Sequence, residues 1–496
     1  MGEGGTSGYR IRSRPVVVLL RLLGLLVAVA AVANLTADLA GKSSAPAVSA
    51  PDDEETLEPE RGERRRRERD RLVHEGDPTI YDAQRHLDRC TRSRRTIGAA
   101  SRRPGLADDI HTISRRIERI RELDFDRRVD TRLVSRSEVG ERFARKFRRQ
   151  YTALDAEWDS RVLAALRLVP EGTDIRRLQT GLLTDGVAGF YNPRKKRLFA
   201  ASTAGELTPF EEVVLAHELD HALVDQVLRL PGTLSRDPML GDTMLAHQAL
   251  AEGDAMLAMG KYAAERLAEA EYESFLARYA SATVEGRAGI PYVFLRASAF
   301  AYYEGLLLAC AEWRDRGWDA LNEIYLRPPS STADVVFPLR YVHENEAELP
   351  PSPSAPGPRW AQVPPRSLGV FDLMLLLENA DLISKGETVP GSHVDAVRGW
   401  DGGVLQAWLR GEETTVHVAL VDAGVETSDG RRRRLCGVLR RWLLESFPDL
   451  VTVGTTLADA ERWEGGGEVA ALRCDGRIVE LAKGPEASTL RRLLRP

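Results

Sequence analysis

The stretch "TPFEEVVLAHELDHALVDQ", Thr208 to Gln226, reads as a single helix with an unusual cargo. Thr208 suits the N-cap, Pro209 the first helical position, and Glu211 the closing residue of a capping box. Val213, Val214, Leu215, Leu219, Leu223 and Val227 make the helix apolar on most sides, as a buried helix is. It nevertheless carries His217, Glu218, Asp220, His221 and Asp225. Residues four apart share a helix face, so His217 and His221 aim two imidazoles at one point. Glu218 can reach a water held at that point. This is His-Glu-x-x-His, two metal ligands and a general base. The competing reading is a pair of hydrogen-bonded core histidines.

Zinc takes four ligands, and a catalytic site keeps three from protein and one position for water. "DTMLAHQALAEGDAML", Asp242 to Leu257, offers the third ligand in Glu252, 31 residues past His221. An ionised glutamate in so apolar a helical run needs a partner. An arginine would also satisfy it. His247 is a rival ligand, but it lies five residues before Glu252 and so points to another face.

A His-Glu-x-x-His helix followed by a glutamate on a second helix resembles the gluzincin group of zinc metallopeptidases. More closely, "GFYNP" (189–193), "LAHELDHALVDQ" (215–226), "ALAEGDA" (249–255), "FAYYEG" (300–305) and "PPSSTADVVFPLRY" (328–341) are similar to a largely uncharacterised set of bacterial zincin-like proteins, many of them exported. The resemblance implies His217, His221 and Glu252 as zinc ligands, Glu218 as base, and hydrolysis of a peptide or protein substrate. Phe337 departs from it, standing where a polar residue, commonly histidine, is expected before the proline. If that residue helps catalysis in relatives, activity here is weaker or altered.

Zinc chemistry also asks for a donor to the developing oxyanion, for which Tyr302, Tyr303, His247 and His343 are candidates. Asp254, Asp225 and Asp242 are candidates to orient the histidines. "GVAGFY" (186–191) reads as an edge strand able to pair with an extended peptide.

The rest of the chain is organised around this segment. Arg10, Arg12 and Arg14 precede the apolar run "PVVVLLRLLGLLVAVAAVA", Pro15 to Ala33, so residues 1–40 read as a signal peptide or a single-span membrane anchor. The protein is then exported or anchored at the cell envelope. Residues 41–80 are Pro, Ser and charge, the composition of a disordered linker. The chain from Tyr81 to Leu168 reads as helical, with Ile110, Ile113, Ile117 and Ile120 on one stripe and arginines on the outward faces. Phe143, Phe147, Tyr151 and Leu154 repeat the theme. These Arg-rich helices are a candidate pro-region. "GVAGFYNPRKKRLFAAS" (186–202) reads strand, turn, strand. Helices are expected from about Asp242 to Ala280 and from Pro291 to Tyr325.

"ELPPSPSAPGPRWAQVPPR", Glu348 to Arg366, reads as a Pro-rich linker closing a helical zincin-like domain at 81–347 and opening an α+β module at 367–496. In that module "GGVLQAWLRG" and "TTVHVALVDAG" read as strands, "RRLCGVLRRWLLESF" as a helix, and "EVAALRCDGRIVELAKG" as a hairpin about Asp475-Gly476. The fold class is therefore α+β, mainly helical, with a short sheet before the His-Glu-x-x-His helix.

A net charge of −5 gives no reason to expect nucleic acid as a partner, and the aromatics among the arginines fall on apolar stripes. Cys90, Cys310, Cys436 and Cys474 form no Cys-x-x-Cys pair, which argues against a thiolate metal site. In an exported protein Cys436–Cys474 is the first pairing to expect; four free thiols are the alternative. The chain thus reads as a zinc-dependent peptidase-like hydrolase. The alternative is a non-catalytic zinc-binding envelope scaffold, which the intact Glu218 disfavours.

Overall fold

The computed structural model describes residues 79–91, 106–135, 151–184, 189–201, 209–232, 237–268, 289–338, 347–424, 434–454 and 457–494, with short pieces at 138–148, 207, 270–272 and 340. The expected leader and anchor at 1–40, most of the linker, Thr208, Phe143 and His343 lie outside the described residues. At the linker's end, Ile80 is already buried in a 3-10 helix over Ile80–His86.

The architecture is α+β. A helical part is built from α1 (Leu87–Thr91), α2 (Leu106–Arg121), α3 (Ala153–Ala165), α4 (Ile175–Thr184), α5 (Pro209–Val227), α6 (Gly241–Arg266), α7 (Tyr292–Arg316), α8 (Trp318–Ile324) and α9 (Thr332–Val336). A small sheet sits within it: β1 (Asp130–Val134), β2 (Gly189–Asn192) and β3 (Arg197–Ala201), in the order β1-β3-β2. β2 runs antiparallel to β3 and forms an edge, as expected of "GVAGFY". β1 pairs parallel with β3, Asp130 opposite Arg197. That strand interrupts the region expected to be helical throughout. Its partner lies far along the chain, so local periodicity carries no sign of it.

α5 begins at Pro209 and buries Val213, Leu215, Ala216, Leu219, Leu223 and Val224. α6 packs against it. α6 ends at Arg266 rather than near Ala280, because Leu267 turns to extended backbone. The expected helix from Pro291 to Tyr325 is two helices, broken at Gly317, whose φ of 68° stops α7 and starts α8. α7 is the one described helix long and apolar enough to cross a membrane, and 94% of that stretch is buried inside the protein. Here it is a core helix.

α6 and α7 cross in close contact at Gly253 and Gly305. A Cβ on Gly253 would stand 2.0 Å from the backbone carbonyl of Gly305, and one on Gly305 would stand 2.2 Å from the carbonyl oxygen of Ala249. Only glycine at both positions lets the two backbones meet.

The C-terminal part is a seven-stranded antiparallel sheet in the order β4-β5-β6-β10-β9-β8-β7. Its strands are β4 (Ala361–Ser367), β5 (Trp400–Arg410), β6 (Glu413–Asp422), β7 (Val451–Thr452), β8 (Glu461–Gly465), β9 (Glu468–Asp475) and β10 (Ile478–Gly484). α10 (Val370–Lys385), α11 (Arg434–Ser446) and α12 (Ala487–Leu493) complete it. Alternation along the strands sorts two faces. Leu405, Ala407, Leu472 and Leu481 join Leu439 and Trp442 of α11, whereas Trp408, Ala471 and Ala482 join Leu490 and Leu493 of α12.

The Pro-rich stretch is not all linker. Its last residues form β4, an edge strand whose register shifts between Val363 and Arg366, where Pro364 and Pro365 sit. Proline lacks the donor a ladder needs, and an edge strand with an irregularity is where a sheet accepts it. The large core runs on without a break from Ile113 and Leu219 to Phe371, Met374 and Leu420. Phe300 and Phe371 join the halves with ring centroids 4.6 Å apart. Two disulfides, Cys90–Cys310 and Cys436–Cys474, pair all four cysteines, the second as expected.

Candidate metal centre

The 19-residue α5 presents His217 and His221 one turn apart, their ring centroids 4.7 Å from each other and nearly perpendicular. α6 brings Glu252 to meet them. Glu252 Oε2 lies 3.2 Å from His217 Nε2 and 3.4 Å from His221 Nε2. One potential ligand atom from each residue falls within 4.8 Å of the other two. A zinc ion bound tetrahedrally at about 2.0–2.2 Å spaces its ligand atoms roughly 3.3–3.6 Å apart. The two distances to Glu252 lie within about 0.1 Å of that spacing, and the donor set of two imidazoles and a carboxylate is one zinc takes. His247 is not part of the group; its Nδ1 lies 2.8 Å from the carbonyl of Gly232.

All three groups are withdrawn from solvent, His221 least so. Burial acts to raise the Glu252 carboxyl, but the His221 and His217 imidazoles outweigh it and hold it down at about 2. Burial acts to lower His221, but Glu252 outweighs that and raises it to about 9. Glu252 and His221 thus each favour the charged form of the other.

Glu218 sits beside the trio on α5. Burial raises its carboxyl, while His217 and His221 pull the other way. The backbone N–H of Tyr191 on β2 donates to Glu218 Oε2 at 2.7 Å, which fixes the carboxylate and leaves Oε1 for another partner. Tyr191 also donates its hydroxyl to Asp225 Oδ2 at 2.7 Å, and Lys196 Nζ reaches the same oxygen at 2.7 Å. Asp225 thus ties the edge strand and the following turn to α5.

The expected supporting acids separate in the same way. Asp242 accepts from Thr332 N and Oγ1, at 3.0 and 2.5 Å, and holds the start of α6 to α9. Asp254 accepts from Arg121 and Tyr325. Among these bonds none of the three acids touches a histidine, and His217 Nδ1 is buried with no hydrogen-bond partner among the described residues. Of the expected oxyanion donors, Tyr302 comes to the site, its ring nearly parallel to that of His217 at 6.2 Å between centroids. The Tyr303 hydroxyl is buried without a hydrogen-bond partner among the described residues. Phe337 is buried with the Arg398 guanidinium 5.1 Å from its ring centre.

The sequence reading missed Tyr191, whose contribution is a backbone group, and Arg121, which it placed on an outward face. Arg121 is fully buried. A signal was present, because Arg121 lies four residues past Ile117 and so continues the apolar stripe. A cleft lined by Glu157, Arg161, Glu171, Glu413 and Glu468 includes none of the site residues.

The chain matches no protein-family model, no curated protein and no solved structure.

Proposed function

We propose that this protein is a zinc-dependent, metallopeptidase-like hydrolase, exported or anchored at the cell envelope and acting on a peptide or protein. The observation that carries the reading is the convergence of His217, His221 and Glu252 from two helices, with Glu218 beside them. A structural metal site has no use for a carboxylate held next to its ligands. A zinc ion held by these three residues would supply a Lewis acid for the scissile carbonyl and a bound water acidic near neutral pH. Glu218 takes the proton of the attacking water on Oε1 and returns it to the leaving amine. The Tyr191 N–H keeps the carboxylate turned to that task. β2 is an edge strand beside the site, its Tyr191 N–H already given to Glu218, and Tyr302 borders the site on the His217 side. Two disulfides favour an oxidising compartment, and nothing in the charge balance favours nucleic acid.

Glu218→Gln keeps the shape of the side chain and removes the base. Cleavage of a peptide library, with and without a chelator, tests it. The variant is expected to keep the metal of the wild type and to lose cleavage by 100-fold or more, about the loss expected for a general base. A variant that cleaves as fast as the wild type would remove Glu218 from the mechanism.

A further inference from the structure

Behind the ligand trio lies an ionic cluster that the proposed hydrolysis does not use. Arg121, Asp220 and Asp254 are each fully buried. Arg121 Nε donates to Asp220 Oδ1 at 2.8 Å, and one terminal nitrogen of the same guanidinium donates to Asp254 Oδ2 at 2.9 Å. Asp220 immediately precedes His221, and Asp254 follows Glu252 by two residues. One planar, rigid cation therefore grips the two ligand-bearing helices at the level of their ligands.

The cation is itself held. The Trp318 ring lies 4.1 Å from its central carbon, Asn322 Oδ1 accepts at 3.2 Å, and the Tyr325 hydroxyl donates to the same Asp254 oxygen at 2.8 Å. α2 makes a second tie to the same helices. Arg116 lies 3.1 Å from Glu212 on α5, and Glu212 also takes bonds from Tyr262 and Arg266 on α6. Going from Arg116 to Arg121, the contacts advance along α5 and go back along α6, so α2 runs with one ligand helix and against the other.

Buried ion pairs are a poor route to stability, since apolar side chains of similar volume often serve as well or better. Their use here is geometric. We propose that Arg121 is a positioning residue of the metal centre, setting the separation of His221 from Glu252, and that α2 is built into that centre and is not a removable pro-segment. This rests on the metal reading above.

The test compares Arg121→Lys with the wild type and with Arg366→Lys, a control whose arginine pairs with the equally buried Asp159. Zinc affinity is read by chelator competition, and ligand geometry by the visible spectrum of the cobalt-loaded protein. Arg121→Lys keeps the charge but loses the fork. It is expected to bind zinc about 10-fold more weakly, the low end of what loss of a ligand's own hydrogen-bond partner costs, because Arg121 acts on the ligands only through their helices, and to shift the cobalt bands. Arg366→Lys is expected to change neither. Should Arg121→Lys not fold, Arg121→Met with Asp220→Asn and Asp254→Asn removes all three buried charges together and is expected to fold with the same weakened affinity and altered spectrum. Either variant, if folded with wild-type affinity and an unchanged cobalt spectrum, overturns the inference. A wild type that takes up no metal overturns the reading beneath it instead.

Discussion

A carboxylate buried as deeply as Glu252 keeps its charge because two imidazoles stand within 3.4 Å of one of its oxygens. Asp242 shows what happens without such partners. Burial, with the charge of Asp372 adding to it and the Thr332 donors opposing, raises its carboxyl from 3.8 to about 7. The folded protein therefore holds a proton there that the unfolded chain gives up near pH 4. The stability this group contributes is complete below about pH 4 and is lost as pH rises to about 7. Asp242→Asn cannot titrate. In urea unfolding at pH 4.5, 5.5 and 7, the advantage of wild type over this variant is expected to shrink steadily as pH rises; a constant difference would contradict it. This residue also marks a limit of sequence reading. The sequence offered it only as a candidate to orient the histidines, and its actual partner, Thr332 on another helix, is a tertiary contact that no local pattern encodes.

Between elements, the decisive contact is the crossing of α6 and α7. Gly253 directly follows Glu252, so the position of that proposed ligand depends on how closely the two helices approach. Gly253→Ala puts a methyl 2.0 Å from backbone atoms that have no room to rotate away, and overpacking of this kind costs about 3 kcal/mol or more. Gly260→Ala, on the same helix, meets the Thr91 side chain at 3.1 Å, which can yield. Thermal unfolding is expected to show a large loss for Gly253→Ala, accompanied by loss of metal, and a small change for Gly260→Ala. Equal melting temperatures for the two variants would refute this. Elements with strong local signals were legible: α5 from its proline start and apolar faces, β5, β6 and the β9–β10 hairpin from alternation and turn residues. Others were not. β1 is a five-residue strand among arginines, α10 is buried on most sides and so shows little helical period, and β4 contains two prolines that only its edge position and shifted register accommodate.

Across the whole molecule, one core joins the helical part to the C-terminal sheet through α10, and each part carries one disulfide. The expected ligands were legible because helical spacing alone brings His217 and His221 together, and an apolar run makes Glu252 conspicuous. The cluster behind them was not, because it takes Arg121, Asp220, Asp254 and Tyr325 from four separate segments. The account as a whole stands on those three ligands holding one ion. Metal content of the purified protein, by elemental mass spectrometry on wild type, His221→Ala and Glu252→Ala, addresses this most directly. The expected result is about one zinc per chain in the wild type, with both variants folded and largely emptied of metal. Equal zinc in all three, or none in the wild type, would contradict it.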